Sequence, residues 1–242
     1  GRPQYTFSKV YLLNQEKNPP HAYVRKSPIP FADLERRFRE LVDRAEEPVK
    51  GFLQHVFREE RWEKFSTYPA ATSHHHAYVH GLLEHTVAVA SSALAIAEDY
   101  IIRDFSLDRS VVLGGSLLHD LGKVDAYGLD PMPMLTLSGS VHDHIALGYA
   151  AFSRLAEEFS LAPTVALHLG HILLSHHGAK EYGSPVLPAT AEALVVAAAD
   201  ELDFRLFVYD HTVRSMGDVL GISDYHQATG RRFWKWQETP SA

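Results

Sequence analysis

Apolar positions follow two different periods along this chain. Over residues 5–13, YTFSKVYLL, apolar and polar positions alternate, and HAYVR at 21–25 does the same over a shorter stretch. Both patterns predict strands, with NQEKNPP between them as a loop. After Ser27-Pro28-Ile29-Pro30 the period changes. Leu34, Phe38, Leu41 and Val42 recur at helical spacing across 32–46, and a second helix is predicted over 49–65. Residues 82–102 are apolar nearly all round, as a central buried helix is. Asp108 is placed to cap a helix over 109–121 that Gly122 closes. Further helices are expected over 143–159, 163–177 and 189–209, the second with Pro163 in its first turn. The tail beyond 217 is turn-rich and contains RRFWKW.

This pattern predicts an all-α fold, a helical bundle over residues 28–216, with a β-rich segment at 1–27 and a tail at 217–242. The chain opens on Gly1, as a fragment or a processed chain would. An apolar fraction of 45% and a charged fraction of 22% are ordinary for a globular protein. No apolar run approaches the roughly 20 residues that span a bilayer, so no membrane partner is expected. With no cysteine, thiolate ligands and disulfides are excluded, which fits a cytoplasmic protein. The net charge of −7 argues against gripping nucleic acid over the whole surface, while leaving room for a local basic groove. Sixteen histidines are the unusual feature, many of them bunched between His74 and His177.

Four segments place ligand-type residues on or at the ends of apolar helices: GLLEHT at 81–86, LHDLGK at 118–123, SHHG at 175–178 and AADE at 198–201. An imidazole or carboxylate facing an apolar interior costs several kcal/mol unless it is paired. A shared metal ion would satisfy all of them together. Adjacent helical residues point about 100° apart, so His119 and Asp120 can line one cavity from two directions. The aspartate can bridge two ions with its two oxygens. Nitrogen and oxygen ligands admit Mn²⁺, Mg²⁺, Fe, Co²⁺, Ni²⁺ or Zn²⁺. Such a cation lowers the pKa of bound water and polarises a phosphoryl oxygen, the two requirements of phosphoester hydrolysis. Lys123, one turn past Asp120, is placed to meet the scissile phosphate, or else to offset a helix C-terminal dipole.

The order His85, His119-Asp120, Asp200 resembles the H…HD…D pattern of the HD superfamily. Longer strings resemble the YhaM-type 3′–5′ exoribonuclease family, also described as CMP-binding-factor-like: PAATSHHHAYVHGLLEHT at 69–86, LLHDLGK at 117–123, HDHIALG at 142–148, HILLSHHG at 171–178 and GSPVLPATAEALVVAAADELD at 183–203. The resemblance covers roughly residues 28–210. It implies a first divalent cation on His85, His119, Asp120 and Asp200, and a second on Asp120, His144, His176 and His177. It also implies manganese-type divalent cations and release of nucleoside monophosphates from the 3′ end of single-stranded RNA or DNA. Family members carry an N-terminal OB-fold, and GRPQYTFSKVYLL looks like the last strand of one. His80 stands where the family favours a small residue, usually glycine, so its bulk is expected to narrow the site entrance.

His75 and His76 are expected to line the substrate pocket, and Lys180 and Ser184, on a Gly-flanked loop, to touch phosphate. His168 reads as a hydrogen-bonded core histidine and His171 as a support for the site, while His21, His55, His211 and His226 read as surface residues. The RRFWKW string suits single-strand binding or a docked terminal segment equally. Two other functions fit the same residues. One is a nucleotidase or cyclic-nucleotide phosphodiesterase, and the other is a binding module that has lost its chemistry. The pattern leaves homo-oligomerisation open.

Overall fold

Helix α4 is the axis of the fold in this computed structural model, which describes residues 23–72, 76–129 and 133–237, with Lys9, Tyr11, Asn14 and Lys17 described singly. The strand expected over 5–13 falls outside that range apart from Lys9 and Tyr11, as do His21, His74 and His75. Three helices precede the axis: α1 (Phe31–Asp43), α2 (Val49–Val56) and α3 (Glu59–Thr67). Then come α4 (Gly81–Ile102), α5 (Arg109–Leu118), the short α6 (Lys123–Ala126), α7 (Leu137–Phe159), α8 (Pro163–Ser175) and α9 (Ala191–Ser215). A ribbon of β1 (Tyr127–Leu129) and β2 (Pro133–Leu135) joins α6 to α7, and a second antiparallel pair, β3 (Gly221–Ile222) and β4 (Trp234–Lys235), lies beyond α9. The all-α expectation is met. Among the described residues no helix is long and apolar enough to cross a membrane.

Burial explains the arrangement. Helix α4 packs against α1, α3, α5 and α9 and buries Leu82, Leu83, Val87, Val89, Ala90 and Ala93 almost completely. Every residue of α5 from Ser110 to Leu118 is buried. Burying each leucine of this kind contributes about 1.5–3 kcal/mol, enough to hold two apolar helices side by side at the centre. The carboxylate of Asp108 caps α5 by accepting from the backbone N–H groups of Ser110 and Val111 at 2.8 and 3.1 Å.

Several expectations need correction. The helix predicted over 49–65 is two helices, interrupted at Phe57 and Arg58. Phe57 turns into the core against Phe38 and Phe65, with ring centroids 4.9 and 4.7 Å away. That tertiary contact overrides local periodicity. Helix α5 stops at Leu118, so the His-Asp doublet sits in the turn that follows. Helix α7 starts earlier than predicted, capped by Thr136, and kinks at Asp143, whose φ is +64°. The stretch 21–25 is not a strand over its described part; Lys26 instead bridges to Val79, so the chain before α1 is tied to the turn before α4. His55 is half-buried against Phe159, with centroids 5.5 Å apart, and is not a surface residue. His226 is likewise half-buried, its Nδ1 3.2 Å from Thr229 Oγ1.

Candidate metal centre

Five helices deliver seven ligand-type side chains to one place. His85 comes from the first turns of α4, His119 and Asp120 from the end of α5, and His144 from just past the α7 kink. His176 and His177 come from the end of α8, and Asp200 from α9. Gly122 sets the spacing between two of these elements. A Cβ at Gly122 would lie 2.0 Å from the carbonyl oxygen of His144 and 2.3 Å from Gly148 N. Only glycine lets α7 approach the α5–α6 turn closely enough to bring His144 to Asp120.

Asp120 stands between two sets of histidines. Its Oδ2 is 3.3 Å from His85 Nε2 and 3.2 Å from His119 Nε2, while its Oδ1 is 3.5 Å from His144 Nε2 and 3.8 Å from His176 Nε2. Asp200 Oδ1 joins the first set, 3.2 Å from His85 Nε2. His177 joins the second, its ring centroid 4.4 Å from that of His176 and 5.2 Å from that of His144. Asp120 Oδ1, His144 Nε2 and His176 Nε2 are buried and have no hydrogen-bond partner among the described residues. Neighbouring ligands on a cation with bonds near 2.1 Å sit about 3.0–3.4 Å apart. The spacing here is therefore close to that of ligand atoms around a shared ion.

The outer nitrogens explain why the inner ones converge. Each Nδ1 donates to an oxygen: His85 to Asp203 Oδ2 at 2.7 Å, His119 to Ser116 O at 2.7 Å, His144 to Asp143 Oδ1 at 2.9 Å, His176 to Leu173 O at 2.8 Å and His177 to Tyr182 O at 2.7 Å. Those acceptors take up Nδ1, so all five rings turn Nε2 to the centre, the nitrogen that would ligate a metal once any proton on it is displaced. His85 Nε2 and His119 Nε2 are only 3.1 Å apart. Two lone pairs facing at that distance would repel, so a positive charge belongs there, either a proton on His85 Nε2 or a cation.

The electrostatics make the same demand. Burial opposes an imidazolium at His85, yet the hydrogen bonds it donates to Asp120, Asp200 and Asp203 hold its pKa well above the usual histidine range. Burial and the neighbouring imidazoles push His176 well below that range, and burial lowers His177 as well, which keeps both neutral. Burial also works against the Asp120 carboxylate, but Lys123, His119 and His85 hold its pKa well below normal. Lys123 Nζ lies 2.6 Å from Asp120 Oδ2, and both groups are buried.

A cavity of about 610 Å³ opens on this cluster. Lys123, His144, His177 and Asp200 face it, together with Tyr127, Tyr182, Phe204 and Arg205. Part of one wall comes from the far tail, through Gln227, Thr229 and Gly230. A second cavity of about 780 Å³ lies on the other side of Phe204, lined by Arg25, Tyr78, His211 and Asp224 among others.

Some predicted contacts are not where they were expected. His76 is buried outside the 610 Å³ cavity, with Nε2 3.1 Å from Asp203 Oδ2 and Nδ1 2.9 Å from Tyr78 Oη. Ser184 is also buried; its Oγ accepts from His177 N at 3.1 Å and so fixes the loop behind the double histidine. Lys180 is exposed and lies outside the cavity lining. His80 does not narrow the entrance: its Nδ1 lies 2.6 Å from Ser66 O and its ring stacks on Phe31. Its φ of +68° is the left-handed conformation that glycine adopts freely, which accounts for a preference for glycine at this position. His168 bonds to Thr190 Oγ1 at 2.9 Å, as a core histidine does, and His171 Nε2 accepts from Ala189 N. The residue the sequence reading missed is Asp203. It lies one turn beyond Asp200, so the same helix-face spacing that marked Asp200 pointed to it.

Residues 82–205 match the HD domain family. Over 214 residues the chain is 30% identical to the 3′–5′ exoribonuclease YhaM of Bacillus subtilis, a match covering 88% of this chain and 67% of the relative. The Bacillus velezensis protein of the same name is 32% identical over 215 residues, with the same shares. No solved structure matches.

Proposed function

Because this chain belongs to the HD domain family of metal-dependent phosphohydrolases, we propose that it is a phosphodiesterase that removes nucleotides from the 3′ end of single-stranded RNA or DNA. The observation that carries the metal-dependent half is the set of buried, unpartnered atoms around Asp120, presented by histidines whose outer nitrogens are already engaged. In this reading His85, His119, Asp120 and Asp200 hold one divalent cation, and Asp120, His144, His176 and His177 hold a second. Mn²⁺ is the first ion to test, and the same oxygen and nitrogen ligands admit Mg²⁺, Fe, Co²⁺, Ni²⁺ and Zn²⁺. When bound, the cations supply Lewis acidity toward the phosphoryl group and acidify water at the site.

The protein's own side chains do the rest. Lys123, held charged by Asp120, faces the cavity and offers a buried ammonium to the phosphate as charge develops on it. Arg205 gives a second cation to the same wall, bridged to Glu201. Tyr127, Tyr182 and Phe204 supply flat apolar faces for a nucleobase. The half-closed cavity limits water around the scissile bond. The exonuclease half of the proposal is supported by the two relatives named above. A cytoplasmic setting is supported by the cysteine-free composition.

The test is incubation of the full chain with Mn²⁺ and a 5′-labelled single-stranded RNA, beside a mononucleotide and a 2′,3′-cyclic nucleotide. A ladder shortening from the 3′ end is expected. Turnover of the small substrates alone would move the protein to the nucleotidase or cyclic phosphodiesterase class. Binding without turnover in saturating Mn²⁺ would make it a binding module.

A further inference from the structure

The tail hairpin alternates sharply between its two faces. Phe233 packs inward against Tyr209, with centroids 5.6 Å apart, and Lys235 is buried with its ammonium on the carbonyl of Gly217. Trp234 and Trp236 point the other way and are 64% and 60% exposed. Ile222, directly opposite Trp234 in the β3–β4 register, is 61% exposed on the same face. Two of the chain's three tryptophans are thus held in water on a strand whose alternate residues anchor it. A tryptophan offers 150–250 Å² of surface to bury, so leaving two of them out is costly unless something covers them.

Charge narrows what that something is. The chain carries a net charge of −7, yet residues 227–237 contain Arg231, Arg232 and Lys235 and no carboxylate. Arg231 and Arg232 are exposed, and among the described residues neither has a carboxylate partner. Several helix arginines are tied to acids on their own helices, as Arg36 is to Glu40 on α1 and Arg214 to Asp210 on α9. Guanidinium groups without a carboxylate partner, beside flat aromatic faces, match the chemistry of unpaired nucleotides, which offer π-faces and phosphates together. The position fits as well: the loop between β3 and β4 contributes Gln227, Thr229 and Gly230 to the wall of the catalytic cavity. One hairpin therefore borders the site with its loop and shows its aromatic face outside.

We propose that the outer face of this hairpin, Trp234 and Trp236 with Arg232 beside them and Arg231 at its edge, is a stacking platform for the single-stranded nucleic acid leading into the cavity. It rests on the reading of the substrate as single-stranded nucleic acid. Bases upstream of the reacting nucleotide stack on the tryptophans while the arginines follow the phosphates. Stacking is tolerant of sequence, because every base has a π-face. The platform thus favours long strands over short ones without choosing among bases.

The test uses the full chain and a fluorescein-labelled single-stranded 12-mer, with binding read by anisotropy in EDTA so that no cleavage intervenes. Trp234→Ala with Trp236→Ala is expected to weaken binding by about tenfold or more, and the double Phe variant to restore most of it. Arg232→Ala is expected to lower affinity and to reduce the slope of log affinity against log salt by about one. With Mn²⁺ added, the ratio of kcat/KM for the 12-mer to that for a dinucleotide should fall by a similar factor in the double alanine variant. Unchanged 12-mer binding in that variant would overturn the proposal. So would loss of self-association in its place, which would assign the face to a second copy of the chain. If the wild type cleaves nothing but binds the 12-mer through these tryptophans, the platform stands and the catalytic reading falls. Tryptophan-independent cleavage of the 12-mer would have the opposite meaning.

Discussion

His85 donates its Nδ1 proton to Asp203 at 2.7 Å, and this bond decides which nitrogen of His85 faces Asp120. Asp203 is itself held by His76, whose other nitrogen meets Tyr78 Oη, and Tyr78 donates to Glu84 at 3.0 Å. The imidazole is backed by a buried polar chain whose partners continue away from the ion site, and carboxylate–histidine pairs of this kind orient metal ligands.

Asp203→Asn keeps the size of the side chain but weakens the acceptor. Mn²⁺ affinity is expected to fall about 10- to 100-fold with the fold intact, read by calorimetric titration of the metal-free chain. Wild-type affinity in this variant would show that Asp203 does no more than fill space.

Removal of the Asp120 carboxylate by Asp120→Ala is expected to abolish metal binding and activity together, since both histidine sets converge on it. It also strands the buried Lys123 ammonium, a loss of about 3–5 kcal/mol in stability. Asp120→Ala paired with Lys123→Met should recover much of that stability but none of the activity. Full activity in the single variant would sink the assignment.

Lys123→Met separates binding from chemistry. Metal affinity is expected to survive, because the histidines and Asp200 are untouched, while kcat falls about 10²- to 10³-fold. Steady-state kinetics at saturating Mn²⁺ checks this, and a pure KM effect would count against a role in the transition state.

The raised pKa of His85 predicts proton release. Without metal the ring stays protonated through neutral pH, so a cation entering beside Asp120 displaces that proton. His176 and His177 are already neutral and give up nothing. Metal affinity should therefore climb with pH from neutrality up through the raised His85 value, with about one proton released per first ion bound. Calorimetry in buffers of different ionisation enthalpy measures the number; zero release would contradict a charged His85.

Gly122→Ala forces a methyl group to within 2.0 Å of the His144 carbonyl oxygen. Overpacking of this kind costs about 1–3 kcal/mol or more. The expected result is a lower Tm and weaker occupancy of the second cation, seen as loss of one equivalent in a Mn²⁺ titration. An unchanged stoichiometry would mean that α7 can retreat without moving His144.

The helices were legible because their apolar spacing is strong, and α4 and α5 are so apolar that no other element fits them. Six of the seven residues now found around one point were legible as polar exceptions on or at the ends of apolar helices, while His144 was picked out from His142 and Asp143 only by the family resemblance. What the sequence did not carry was long-range geometry. Nothing local marks Phe57 as the break between α2 and α3, because its reason is contact with Phe38 and Phe65. His76 and Ser184 were expected at substrate, but their partners, Asp203 and the His177 backbone, lie 127 and 7 residues away, and the first distance is invisible to any pattern. The use of Gln227, Thr229 and Gly230 as a cavity wall is of the same kind: the tail reads as turns until the fold brings it beside α9.

Asp120 turns one oxygen to each histidine set, and under the two-cation reading this makes the sets thermodynamically dependent on each other. An ion settling beside His85 and His119 fixes the rotation of the shared carboxylate, and so changes what His144 and His176 can offer the next ion. By linkage the effect has the same size in the other direction.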